Sequence, residues 1–133
     1  MGPKIIPDVV SEQTIRALTA EDTARDAAKM MVEVNISAVL VVVDGDCLVG
    51  IVTERDLSRR VVATDRRASE TKLGEIMTAD PVTVSPDDSA VEAMAEMDRL
   101  KIRHLPVVDE GRVVGVVSIR DLRSSISTHV VAV

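Results

Sequence analysis

The chain of 133 residues contains no phenylalanine, tyrosine or tryptophan, a single cysteine (Cys47) and two histidines. Each shortage closes a class of function. Without aromatic rings there is no platform on which the bases of a single-stranded nucleic acid could stack. One cysteine cannot form an internal disulfide, and with two histidines it offers no cluster of the kind that holds zinc or iron, so no structural metal is expected. Long apolar runs are also missing: the stretch 39–43 is far shorter than the roughly 20 residues of a membrane span. No charged-then-apolar signal segment opens the chain, and the expected location is cytoplasmic. Basic charge is in deficit, 16 Lys and Arg against 22 Asp and Glu for a net −6, which argues against a nucleic-acid backbone as partner.

What is present is the balance of a soluble, folded globule, 46% hydrophobic and 29% charged, in one domain or two small ones. Its core must be built from Val, Ile, Leu, Met and Ala, and a chain of this size can bury roughly two thirds of its extended surface. The cations are mostly arginine, which suits a bidentate grip on phosphate or carboxylate, although arginine-rich codon usage gives the same bias.

The chain repeats itself. A shift of 66 lays residues 19–36 on 85–102, with identities at Asp22/Asp88, Ala24/Ala90, Ala27/Ala93, Met31/Met97 and Ile36/Ile102. A shift of 65 lays 44–57 on 109–122, with identities at Asp44/Asp109, Val49/Val114, Gly50/Gly115, Val52/Val117, Arg55/Arg120, Asp56/Asp121 and Leu57/Leu122. The change of shift places one extra residue in the first copy between Ile36 and Asp44. Thr19 and Ser85 read as N-caps of a helix, each followed by acids, with Pro86 at the first helical position. Ala24, Ala27, Ala28, Met31 and Val34 share one helical face, as do Ala90, Ala93, Met94, Met97 and Leu100.

A β-hairpin should follow each helix, around the turns Asp44-Gly45-Asp46 and Asp109-Glu110-Gly111. A short strand should precede each helix, over 15–18 and 82–84, and a second helix should follow each hairpin, over 54–62 and 119–126. The unit is strand, helix, strand, strand, helix, present twice, which makes the fold class α+β. The expected division is a first repeat over 1–62, a polar linker over 63–72, a second repeat over 73–126 and a tail over 127–133. The sequence leaves open whether that tail is an added strand, a dimer contact or disordered.

This pattern resembles a tandem pair of cystathionine β-synthase (CBS) domains, a Bateman module. The resemblance is carried by Ile102-Arg103-His104-Leu105-Pro106-Val107-Val108-Asp109, by Gly115-Val116-Val117-Ser118-Ile119-Arg120-Asp121-Leu122 and by Gly50-Ile51-Val52-Thr53-Glu54-Arg55-Asp56-Leu57, with Ile76-Met77-Thr78 and Pro81-Val82-Thr83-Val84 as lead-in. It implies two repeats packed about a pseudo-two-fold axis, two clefts for adenosine-containing ligands (AMP, ADP, ATP or S-adenosylmethionine) and pairing of two modules into a flat homodimer. No cofactor is required on this reading.

The residues themselves permit such chemistry. A strand that ends in Thr53 or Ser118 and enters a helix places a hydroxyl and free backbone N–H groups where a phosphate could sit. The Asp three residues on, Asp56 or Asp121, can accept both hydroxyls of a ribose, and the resemblance implies that role. Helix capping is the alternative for all four residues, because the same types cap helices without any ligand. By resemblance Arg103 and His104 stand where phosphates are touched, with Ser37 and Ala38 near that place in the first copy; a solvated basic pair at a strand edge is the alternative. Arg55 and Arg120 could grip phosphate or pair with surface acids such as Glu54.

Asp44-Gly45-Asp46 lacks the later ligands of a calcium loop and is a turn. Cys47 has Arg112 as its counterpart, so it is no duplicated nucleophile. No nucleophile and base, carboxylate pair or metal set recurs at the duplicated positions, which argues against an enzyme. The expected function is a stand-alone sensor that binds an adenosine-type ligand between repeats and signals through dimer geometry to a separate effector protein. The alternative is a dimeric interaction scaffold with vestigial clefts.

Overall fold

The computed structural model describes residues 2–10 and 15–131. The fold is α+β, with both copies of the duplicated unit recognisable. In chain order the elements are β1 (Ala17–Leu18), α1 (Ala24–Val34), β2 (Ala38–Val43), β3 (Cys47–Thr53), α2 (Glu54–Leu57, continued by a wider turn over Ser58–Val62), α3 (Leu73–Ile76), β4 (Thr78–Ala79), α4 (Ala90–Leu100), β5 (His104–Asp109), β6 (Arg112–Ser118) and α5 (Ile119–Val131). The expected tail is helical as far as Val131, and residues 132–133 lie outside the described residues.

Helices α1 and α4 both start four residues later than their sequence signals indicate. Thr19 and Ser85 close a turn instead: each donates its backbone N–H to the carboxylate three residues on, Asp22 and Asp88, at 2.8 Å. Ser/Thr-x-x-Asp satisfies a turn as well as a helix start, and nothing local separates the two. Tertiary pairing decides it, because the carbonyls of Asp22 and Asp88 accept N–H groups from Leu73 (2.8 Å) and Ile5 (3.0 Å) and cannot face along a helix axis. Pro86 falls in that turn, and the true caps are Thr23 and Ser89, whose hydroxyls accept from Asp26 (3.1 Å) and Glu92 (3.3 Å). The Thr23 backbone N–H and hydroxyl hold the Asp26 carboxyl below the usual carboxylate range. Ala24, Ala27 and Met31 in α1, like Ala90, Ala93 and Met97 in α4, form the buried face that the spacing predicts.

The hairpins also differ from expectation in one detail. Val43 pairs with Cys47 across three turn residues, whereas Asp109 pairs with Arg112 across two. The extra residue therefore sits in the first turn, and Asp109 is the counterpart of Val43 rather than of Asp44. Positive φ at Asp44 and Gly45, and at Glu110 and Gly111, gives both turns the hand that hairpins need. Each hairpin carries a bulge at the same place, after Val41↔Gly50 and after Val107↔Gly115. In the first copy β1 runs parallel to β2 and β4 antiparallel to β3, giving the order β1-β2-β3-β4. In the second, the strand expected over 82–84 shrinks to a parallel bridge, Val84↔Val107, beside β5 and β6.

Two compact units result: Arg16–Pro81, and Met1–Ile15 together with Val82–Val133. Each takes its first packed element from the stretch of chain that precedes the other repeat. In one unit, Ala24 donates to the Thr71 carbonyl (2.8 Å), Thr23 bridges Lys72, and Leu73 is fully buried. In the other, Ala90 donates to the Pro3 carbonyl (2.8 Å), Ser89 bridges Lys4, and Ile5 is fully buried. Residues 3–5 thus do for the second repeat what 71–73 do for the first. Burying each of these side chains contributes about 1.5–3 kcal/mol.

Candidate functional site

In both copies the glycine-led motif runs off the last hairpin strand directly into a helix. Thr53 ends β3 and caps α2: its N–H donates to Asp56 Oδ2 at 2.8 Å, its hydroxyl lies 3.1 Å from the same oxygen, and the Asp56 N–H lies 3.3 Å from that hydroxyl. Ser118 ends β6 and repeats the arrangement, with 3.1 Å from its N–H to Asp121 Oδ2 and 3.0 Å from the Asp121 N–H to its hydroxyl. All four side chains are half-buried. These are reciprocal capping boxes, so the capping role is realised in both copies. The box engages Oδ2 of each aspartate, and Oδ1 takes no part in it. Capping and ligand binding can therefore share one carboxylate.

The hairpin register settles which first-copy residues match Arg103 and His104. His104 is paired with Ser118 and Ala38 with Thr53, while the Ile119 N–H donates to the Arg103 carbonyl (2.8 Å) as the Glu54 N–H does to that of Ser37 (3.1 Å). Ser37 and Ala38 are the structural counterparts. The second motif therefore has Arg103, His104 and Ile119 around it where the first has Ser37, Ala38 and Glu54, a contrast that favours anions at the second. Arg103 is exposed and His104 half-buried, both within one strand-width of the Ser118–Asp121 box. Arg55 and Arg120 are exposed on the first helical turn, beside the aspartates in sequence but with no part in the cap hydrogen bonds.

Sequence reasoning missed Arg60. Its Nε lies 3.9 Å from Asp56 Oδ1, and its Nη1 donates to the carbonyl of Ile76 at 2.8 Å, with that of Met77 at 3.3 Å. The i,i+4 spacing from Asp56 was the available signal. Gly50, at the head of the first motif, is fixed by contact: a Cβ there would lie 2.5 Å from Met77 Sδ and 3.0 Å from the Thr78 carbonyl oxygen. Among the described residues, no group of three or more His, Cys, Asp or Glu could hold a metal ion, and no helix is long and apolar enough to cross a membrane. Cys47 is an exposed free thiol.

The model of the CBS domain matches this chain twice, over residues 6–63 and 73–128. The chain belongs to the CBS-domain family. A putative signal-transduction protein with CBS domains from Burkholderia ambifaria MC40-6 is 42% identical, with a TM-score of 0.87 over 95% of each chain. The CBS domain pair of protein MJ0100, solved in complex with 5′-methylthioadenosine and S-adenosyl-L-methionine, is 28% identical, with a TM-score of 0.83 over 96% of this chain and 99% of that one. The mitochondrial CBS domain-containing protein CBSX3 of Arabidopsis thaliana is 39% identical over 116 residues, which make up 84% of this chain and 56% of that protein. This CBS pair thus spans about half the length of that curated relative.

Proposed function

We propose that this CBS pair is a regulatory module that binds an adenosine-containing ligand at the Thr53–Asp56 and Ser118–Asp121 boxes, forms a homodimer, and signals through dimer geometry to a separate effector protein. The observation that carries the reading is the duplicated box itself: each strand end presents a hydroxyl and a half-buried aspartate whose Oδ1 lies outside the cap. A ribose diol donates two hydrogen bonds, and a carboxylate oxygen is its natural acceptor, each such bond contributing about 1.5–3 kcal/mol. The fold shared with a CBS pair solved with 5′-methylthioadenosine and S-adenosyl-L-methionine supports the ligand class. Adenine would lie between aliphatic side chains, since the chain has no Phe, Tyr or Trp to stack it.

The two sites are unequal in this proposal. Arg103 and His104 fit the second for phosphorylated ligands, and Ser37, Ala38 and Glu54 fit the first for an uncharged or cationic adenosine derivative such as S-adenosylmethionine. Calorimetric titration with AMP, ADP, ATP, adenosine and S-adenosylmethionine, with melting curves beside it, tests this. Heat from at least one ligand is expected, with Arg103→Ala weakening AMP more than adenosine; no heat and no melting shift at millimolar concentration would reject the proposal.

A second reading, an interaction scaffold with vestigial clefts, is favoured by one observation: the capping boxes account for both aspartates without any ligand. It predicts that every nucleotide leaves both the melting temperature and partner binding unchanged.

A further inference from the structure

Arg60 stands apart from the other arginines of the first repeat because it reaches two features at once. Its guanidinium faces Asp56 Oδ1 at 3.9 Å and holds the carbonyls that end α3, those of Ile76 at 2.8 Å and Met77 at 3.3 Å. From those carbonyls the chain continues as β4, paired to β3 through Gly50↔Ala79 and Ile51↔Thr78. The second repeat keeps the backbone tie and drops the charge. By the shift of 65 the counterpart of Arg60 is Ser125, whose hydroxyl donates to the Asp8 carbonyl at 3.3 Å. The tie to a crossing element is thus common to both repeats, and among the described residues the ion pair with the box aspartate falls in the first. Asp56 is the more enclosed partner, with 13% of its side chain exposed against 49% for Arg60, so water screens the carboxylate end only in part.

We infer that Arg60 is the positioning residue of the first box. It keeps Asp56 Oδ1 oriented for a ribose hydroxyl, and it couples occupancy of that oxygen to the hold on residues 76–79. The inference rests on the ribose reading given above. A hydroxyl that arrives at Oδ1 shares the oxygen with the guanidinium and changes how firmly Arg60 grips the Ile76 and Met77 carbonyls. The ligand thereby acts on β4, the last strand before the chain passes to Val82 in the other unit.

The test is amide hydrogen exchange of the full chain titrated with S-adenosylmethionine, the ligand class that fits the first site, read in peptides that cover 53–56 and 77–79, for the wild type, Arg60→Lys and Arg60→Met. The first peptide assigns the affinity to the first repeat, and the second reports the coupling. The expected result is affinity lowered on the order of tenfold in Arg60→Met. The ligand-dependent change over 77–79 should be lost in that variant, and the affinity should be largely restored in Arg60→Lys, which keeps the charge. A purely structural role would alter exchange over 77–79 without S-adenosylmethionine and leave the affinity alone. Protection of 53–56 by S-adenosylmethionine that is equal in wild type and Arg60→Met overturns this inference and leaves the ribose reading standing. No effect of S-adenosylmethionine on 53–56 in the wild type overturns both.

Discussion

Thr53 and Ser118 each do work that has no need of a ligand, and that work can be measured. Their caps satisfy backbone N–H groups that would otherwise lie unpaired in a half-buried place. Thr53→Ala should destabilise the protein by about 1 kcal/mol while Thr53→Ser leaves stability nearly unchanged, both read by denaturant titration. Gly50→Ala should destabilise by about 1–3 kcal/mol, because Met77 can swing aside but the Thr78 carbonyl belongs to the paired strand β4. The aspartates were legible in the sequence because duplication set Asp56 on Asp121 in full context. Arg60 was harder to find, since its counterpart is Ser125 and its hydrogen-bond partners are main-chain carbonyls 16 and 17 residues away, which leaves the i,i+4 spacing from Asp56 as its side-chain signal.

At the level of elements, the hairpins and the buried helical faces follow from composition and period alone, and their register was recoverable to within one turn residue. The helix starts were misread because the turn at Thr19 and Ser85 uses the same residue pattern as a cap. The exchange of first elements was invisible, since Pro3-Lys4-Ile5 and Thr71-Lys72-Leu73 share little beyond a lysine and a following aliphatic residue. Its energetic weight is open to test: Ile5→Ala and Leu73→Ala should each destabilise by about 2–5 kcal/mol, although Ile5 is only the fifth residue of the chain. A loss of a few tenths of a kcal/mol for Ile5→Ala would show that the N-terminal segment is not packed as described.

The start of α3 also carries a pH dependence. The Lys72 backbone N–H, and after it the Arg66 guanidinium, hold the Glu75 carboxyl below the ordinary glutamate value. A carboxyl with a lowered folded value contributes stability that is present above its unfolded value and is lost as pH falls through the folded one. Glu75→Gln should therefore flatten the acid limb of the melting temperature against pH and leave its slope near neutrality unchanged.

For the molecule as a whole, the duplication explains both what is equal and what is not. The two boxes are equal because each is fixed by its own strand and helix; the charges around them differ because side chains outside the caps are free to diverge, Arg103 and His104 against Ser37 and Ala38. Family membership rests on both repeats together, over residues 6–63 and 73–128. The most direct measurement of the central claim is a crystal structure of the protein grown with AMP. The account predicts density for the nucleotide with its ribose hydroxyls within hydrogen-bonding distance of Asp121 or Asp56 and, at the second repeat, its phosphate against Arg103. Crystals grown at millimolar AMP with both aspartates caught only in their caps, and no nucleotide beside them, would contradict it.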